Sequence, residues 1–468
     1  MKVLHVPFSF HPDPVGGTEV YVEALARQQQ LDGMDTTIAA PGIRQEQYDH
    51  GSVTVWRFPV AECVDDLREL YGEGDVMAAA AFGRILDDER PDVVHVHAFT
   101  RGVSVRLVRQ AKLRDVPVVF SYHTPTVTCQ RGTLLRWGIE ACDGTLDLKT
   151  CTQCSLYGLG LNRVSSVAAG WIPRSVGRLA GSAGLSGGMW TAVRMTELVA
   201  LRHAAFRSLV AEVDQIVAMC RWVKDLLLGN GVPAERITMS RQGLWQCEHR
   251  EAVPSNRIRQ NGSPLKIIFV GRLDPTKGAH VLIDALKAAP GLPVTLDIYG
   301  VTQGEAGAAY LTKLKQSADS DRRITFQPSI PSADVVTRMR DYDVIAVPSQ
   351  WLETGPLVVM EAFAAGLPVI GSNLGGIAEL VTDEVDGLLV TAQSVAAWRA
   401  AIERVCRDPA LLSRLREQIR QPRCIRDVAL DMSILYAILS TKSRAHSPLD
   451  PPPPPRCRRQ LGASPAEI

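Results

Sequence analysis

Short runs of apolar, mostly β-branched residues recur along this chain, separated by stretches whose apolar positions follow helical spacing. In the first half, strand-like runs at 3–7, 36–40, 53–58, 93–97 and 117–122 alternate with helical stretches near 18–31, 75–88 and 102–114. Runs that are apolar throughout suit strands buried on both faces, so the alternation predicts βαβ units and a parallel sheet covered by helices. The rhythm breaks after His123. Residues 124–188 are rich in Gly, Ser and Cys with little periodicity and read as an irregular insertion. A helix near 190–209, a strand at 214–219, a helix at 221–228 stopped by Gly229-Asn230-Gly231 and a strand at 236–240 complete a first domain, 1–245.

A second start follows. Residues 246–263 have the polar, Pro- and Gly-containing composition of a linker. Lys266-Ile267-Ile268-Phe269-Val270-Gly271 then repeats the opening style of the chain, and strands near 294–299, 324–326, 344–347 and 369–371 alternate with helices across 264–426. A last helix at 427–440 is placed to pack back on the first domain. The tail 441–468, with prolines from Pro451 to Pro455, is expected to be disordered or polyproline-like. The expected fold class is α/β, with two doubly wound Rossmann-like domains facing across a cleft.

Composition narrows the function classes. A chain of 468 residues, 46% apolar, can bury two cores. Lys and Arg total 51 against 50 Asp and Glu, a net charge of +1, so no global field draws nucleic acid, and anion binding must be local. The opening Met1-Lys2-Val3-Leu4-His5-Val6 enters a strand at once, without a leader-like apolar region, and residues 164–173 are too short to span a bilayer, which takes about 20 apolar residues. A cytoplasmic protein is expected.

The strongest local signal runs from Ser349 to Ile370: strand, loop, helix, stop, strand. Pro356 suits a first helical turn because its missing N–H would be unpaired there. The helix therefore starts beside Gly355, with the Leu357 and Val358 amides and a positive dipole end available to a phosphate. Glu353 and Glu361 flank that terminus. Here the sequence resembles the family-4 retaining glycosyltransferases of the GT-B fold, whose signature is two glutamates with seven residues between them at this strand–loop–helix. The stretch after Glu361, Ala-x-Ala-x-Gly-x-Pro-Val-Ile in form, matches too. The resemblance implies that Glu353 contacts donor sugar hydroxyls near the anomeric centre and that Glu361 binds the ribose.

Other segments extend the resemblance over most of 1–440. Arg272 and Lys277 follow the first strand of the second domain, at the sheet edge where open α/β sheets bind ligands, and the resemblance assigns both cations to the diphosphate. Gly16 and Gly17 follow the first strand of the chain, with Thr18 as the expected helix cap, and the resemblance sets the two glycines against the donor from across the cleft. This is not a GxGxxG fingerprint, which counts against an NAD enzyme. His123 closes a strand, and relatives carry an active-site histidine there, implying contact with the donor sugar or positioning of the acceptor. The base contact is expected from the backbone of 326–330.

What the resemblance implies is transfer of a hexosyl-type sugar, with retention, from a nucleoside-diphosphate donor to a saccharide or lipid-linked acceptor in bacterial polysaccharide or glycoconjugate assembly. It implies no catalytic cofactor and no catalytic metal, and leaves room for peripheral contact with the inner membrane face. A non-catalytic sugar-nucleotide-binding subunit and a sugar-nucleotide epimerase are the alternatives. Asp341-Tyr342-Asp343 has the form of a metal-binding Asp-x-Asp but lies at the start of a strand whose far end reaches the site, so it is set aside as a ligand set. Cys129, Cys142, Cys151 and Cys154 are compatible with a tetrahedral structural zinc site, with free thiols, a redox pair and an iron–sulfur cluster as alternatives. Met239-Ser240-Arg241-Gln242-Gly243-Leu244 stands where relatives have a Pro-Asn-Gly-x-Asp turn, which leaves the role of the interdomain loop open.

Overall fold

The computed structural model describes residues 1–13, 16–62, 67–185, 187–245 and 263–446. The expected linker, apart from Ser263, and the tail beyond 446 lie outside the described residues.

The first domain contains β1 (Lys2–Val6), β2 (Asp35–Gly42), β3 (Glu46–His50), β4 (Val53–Pro59), β5 (Val93–Val96), β6 (Val118–Tyr122), a small hairpin of β7 (Leu135–Arg136) and β8 (Glu140–Ala141), β9 (Gln215–Ala218) and β10 (Ile237–Met239). Its main sheet has the order β10-β9-β6-β5-β1-β2-β4-β3. All pairings are parallel except β3 with β4. The second domain contains β11 (Leu265–Arg272), β12 (Val294–Val301), β13 (Ile324–Gln327), β14 (Val344–Val347), β15 (Val369–Ser372) and β16 (Gly387–Val390). Their order is β13-β12-β11-β14-β15-β16, parallel throughout. In each sheet the chain leaves a central strand, β1 or β11, first to one side and later to the other. Helices on opposite faces diverge at such a point and leave a crevice at the strands' C-terminal ends. Gly16 and Gly17 follow β1, Arg272 ends β11 and Ser349 follows β14, so the topology alone brings these residues to the crevices.

The last helix, Ile425–His446, belongs to the first domain's core. Val428, Met432 and Tyr436 are buried with Val3, Tyr21, Val22 and Leu25 on one face of the sheet, against the helix Gly17–Leu31. Leu244 donates its amide to the Arg423 carbonyl and accepts from the Ile425 amide where the chain passes between the domains. This helix starts two residues earlier than the sequence pattern suggests and runs six residues into the segment expected to be disordered.

The insertion is also more regular than its composition suggests. It folds into the hairpin β7–β8 and the helices Leu148–Gly158, Arg163–Ala169 and Arg174–Ser182; the first and third pack on the long helix Gly188–Glu212, and the second packs on the first. Each of the three is 11 residues or shorter, too few turns for periodicity to stand out among small residues. Strand β3, Glu-Gln-Tyr-Asp-His, was equally invisible because it is a polar edge strand. No helix among the described residues is long and apolar enough to cross a membrane.

Candidate functional site

A cavity of about 280 Å³ opens where the two crevices meet. One wall is Gly16 and Gly17. The other holds Arg272, Lys277, Ser349, Glu353, Pro356, Leu357 and Val358, with Tyr299, Ser329 and Ile330 at one side. The helix Leu357–Ala364 starts here with Pro356 as its N-cap, so its first amide groups point to the cavity. A Cβ on Gly17 would stand 3.8 Å from the Leu357 side chain, showing how closely the first domain's backbone approaches this helix.

The cap of the first helix differs from expectation. Gly16, not Thr18, is the N-cap, and Glu19 reaches back to accept the Gly16 N–H at 2.7 Å. Burial raises the Glu19 carboxyl above its usual value, against the opposing pull of the Gly16 N–H and the Arg272 charge.

Glu353 is the most constrained carboxylate of the site, 7% exposed. Its Oε1 accepts from Lys277 Nζ at 2.5 Å and from the Ser349 hydroxyl at 2.8 Å. Its backbone carbonyl accepts from the Gly376 amide at 2.6 Å and from the Trp222 indole at 2.9 Å. Burial alone would raise this carboxyl, but the Lys277 charge and the hydrogen bonds outweigh it and hold it below the usual range. Glu353 is thus ionised and oriented. Lys277, expected at a diphosphate, is engaged with Glu353, and its ammonium has two further N–H donors. Arg272 donates to Gln303 Oε1 at 3.2 Å.

Glu361 does not share this cavity. It lines a neighbouring one of about 230 Å³, with Tyr21, Glu23, Trp245 and Ser332, and Leu357 borders both. Burial pushes the Glu361 carboxyl up to about 7.

His123 is buried and lines neither cavity; its imidazole ends a polar seam inside the sheet. Gln29 Oε1 lies 2.8 Å from His5 Nε2, His5 Nδ1 lies 3.0 Å from His97 Nε2, and His97 Nδ1 lies 3.0 Å from His123 Nε2. A carbonyl only accepts, so His5 Nε2 donates to it. Each neutral ring then accepts on Nδ1 from the next, and His123 Nδ1 is left as a bare acceptor. That atom is buried and has no hydrogen-bond partner. Burial lowers His5 to about 4 and His123 to about 3, and holds His95 and His97 well below the usual value, so all four rings are neutral near pH 7. The seam was legible in principle: parallel pairing sets His5 beside His95, and alternation puts His95, His97, Ser121 and His123 on one face.

Groups that sequence reasoning missed hold the domains together. Thr354 donates its hydroxyl to the His123 carbonyl at 2.6 Å, and the Leu352 amide donates to Thr133 in the insertion at 3.3 Å. Glu379 of the second domain accepts from the Arg221 and Trp222 amides at 2.8 and 2.9 Å, capping the first domain's helix Arg221–Gly229, and pairs with Arg241 at 3.2 Å. A Cβ on Gly355 would stand 3.0 Å from buried Gln242, so the unusual turn at 239–244 packs directly against the glycine before the helix Leu357–Ala364.

Asp343 accepts from Arg416 at 3.0 Å and from the Lys266 amide at 2.9 Å, consistent with a structural place at the strand's start. The four cysteines of the insertion line one cavity of about 420 Å³. Among the described residues, the groups whose ligand atoms lie within 4.8 Å of one another are His5–His95–His97 and His11–Glu23–His50, so the thiols do not form the close tetrahedral set considered from the sequence. They come from a loop, a hairpin end and a helix.

Comparison with known proteins fits this geometry. A glycosyl transferase 4-like domain model matches residues 16–243 and a glycosyl transferases group 1 model matches 254–422. A D-inositol 3-phosphate glycosyltransferase of Nocardia farcinica is 30% identical over 231 residues, 46% of this chain and 49% of that protein. The protein of that name from Mycolicibacterium smegmatis is 35% identical over 149 residues, 32% of this chain and 34% of its own. The chain thus aligns with half or less of these relatives. Among solved structures, sucrose-phosphate synthase from Thermosynechococcus elongatus superposes with a TM-score of 0.65 at 19% identity, covering 94% of this chain and all of that one. Anabaena HepE, in complex with UDP and glucose, superposes with a TM-score of 0.60 at 17% identity, covering 94% and 100%. At such identities these likenesses bear on the fold.

Proposed function

Because the chain belongs to the group 1 glycosyl transferases, with a glycosyl transferase 4-like first half on the GT-B fold, we propose that it transfers a hexosyl-type sugar, with retention, from a nucleoside-diphosphate donor to a saccharide or lipid-linked acceptor. One observation carries this reading: a diglycine, a helix N-terminus, two cations and an ionised, oriented glutamate surround a single cavity. The Leu357 and Val358 amides and Arg272 receive the diphosphate, and Lys277 adds its two remaining donors. Ser329 and Ile330 line the same cavity, and the base is assigned to them.

The chemistry follows from what each group can do. Double displacement needs a carboxylate nucleophile beneath the anomeric carbon. By the family resemblance Glu353 is not that nucleophile; Lys277 and the Ser349 hydroxyl fix its Oε1, and it orients sugar hydroxyls. The anomeric carbon–phosphate oxygen bond breaks, the acceptor oxygen bonds on the same face, and its proton passes to the departing phosphate. Amides and cations aimed at that phosphate stabilise the charge as it develops, so no divalent ion is needed for it. His123 lines neither cavity, and its part in this reading is to position: its carbonyl accepts the Thr354 hydroxyl next to Glu353. Acceptors of bacterial polysaccharide or glycoconjugate assembly fit this reading.

A calorimetric screen of nucleoside-diphosphate sugars, followed by NMR assignment of the product anomer, tests it. A retained anomer supports the same-face route, and an inverted one removes it. Interconversion of donor without any acceptor would make the protein an epimerase, and donor binding without transfer to any acceptor would make it a binding subunit.

A further inference from the structure

Two helices of the insertion, Arg163–Ala169 and Arg174–Ser182, turn their larger apolar side chains away from the protein. Helix Arg174–Ser182 packs on Gly188–Glu212 through its smallest residues: a Cβ on Gly177 would stand 3.0 Å from Glu197, one on Gly181 would stand 2.8 Å from the Arg194 guanidinium, and Ala180 is buried. Val176 and Leu179, three residues apart, are left exposed, Leu179 to 71%. Helix Arg163–Ala169 repeats the pattern with Val164 and Val167, Val164 being 80% exposed, and Trp171 between the two helices is 66% exposed. A soluble face normally buries large apolar groups and leaves small or polar ones outside, so the reversal marks a surface made for a partner.

Charge says which partner. From 148 to 196 the chain carries Lys149, Arg163, Arg174, Arg178 and Arg194 and no Asp or Glu, although the whole chain is nearly neutral. Arg194 faces inward to Glu197 at 3.3 Å, while the other four cations are exposed. Lys149 Nζ lies 3.1 Å from the centre of the Trp171 ring. Cations interleaved with tryptophan and aliphatic side chains match a surface whose outer layer is anionic and whose next layer is hydrocarbon.

We propose that the face formed by helices Arg163–Ala169 and Arg174–Ser182, with Trp171 between them, docks the protein on a membrane surface containing anionic phospholipids. Lys149, Arg163, Arg174 and Arg178 lie among phosphates, while Trp171, Val164 and Leu179 enter the boundary with the acyl chains. The insertion touches the Glu353 loop through Thr133, so docking holds the cleft close to the bilayer. This inference stands whether or not the proposed transfer is correct.

Co-sedimentation of the full chain with phosphatidylcholine vesicles, with and without phosphatidylglycerol, tests it. Binding is expected to require phosphatidylglycerol and to weaken with salt. The triple variant Arg163→Gln, Arg174→Gln, Arg178→Gln should lower vesicle partition on the order of a hundredfold, and Trp171→Ser with Leu179→Ser should lower it at least about tenfold. Thermal midpoints should stay unchanged, because all five side chains are exposed. Failure of the wild-type chain to sediment with phosphatidylglycerol vesicles would overturn the proposal, as would equal binding by the variants. A self-association abolished by Leu179→Ser would overturn it too, by assigning the face to a second copy.

Discussion

Replacing Lys277 by Met removes the ammonium 2.5 Å from Glu353 while keeping most of the side chain's bulk. The carboxylate keeps the Ser349 hydroxyl but stays almost wholly buried. Removing one partner of a buried pair typically costs about 3–5 kcal/mol. The Lys277 side chain is 22% exposed, and solvent there screens part of the interaction, so the lower end, about 3 kcal/mol at pH 7, is expected. The sign of the pH dependence follows from the shifts. In the wild type Glu353 lies below its usual 4.5, so its contribution is complete above that value and lost as pH falls through the lower native one. Without Lys277 burial dominates and the carboxyl moves above 4.5, so the native state binds the extra proton. The variant's deficit should then shrink as pH is lowered from 7 to 5, and Lys277→Met with Glu353→Gln should recover about 2 kcal/mol relative to additivity. Urea unfolding at both pH values measures this without adding salt. Additive single variants, or a deficit unchanged by pH, would refute the assignment of the pair.

Arg272→Ala should weaken nucleoside diphosphate binding by about ten- to a hundredfold in calorimetry, the loss expected for one charge-assisted contact. Glu361 has a native value near 7 against an ordinary 4.5, so native protein binds more protons between them, and stability should fall by up to about 3 kcal/mol as pH rises from 4.5 to 7. Glu361→Gln should flatten that part of the urea-unfolding profile. His97→Leu leaves His5 Nδ1 and His123 Nε2 buried without partners and should cost about 1–3 kcal/mol per orphaned group. His97→Gln, which can still bridge, should regain part of that stability in urea unfolding.

The sequence disclosed most where local chemistry and global fold agree. Apolar runs such as Val118-Val119-Phe120 sit inside parallel sheets as their pattern requires, and Pro356, which lacks an N–H, stands as N-cap of the helix that starts at Leu357. Features built by tertiary proximity stayed hidden. The capture of Lys277 by Glu353 spans 76 positions, and the capping of Arg221–Gly229 by Glu379 depends on how the domains meet. The histidine seam shows only once strand register is known. Two glutamates read as one pair prove to border adjoining cavities, since Leu357 stands between them, a separation that spacing along one helix does not reveal.

The most direct test of the account is a crystal structure of the chain with a bound nucleoside-diphosphate sugar. The account predicts the diphosphate against the Leu357 and Val358 amides and Arg272, with sugar hydroxyls on Glu353 and the base beside Ser329. A nucleotide seated anywhere else would contradict it.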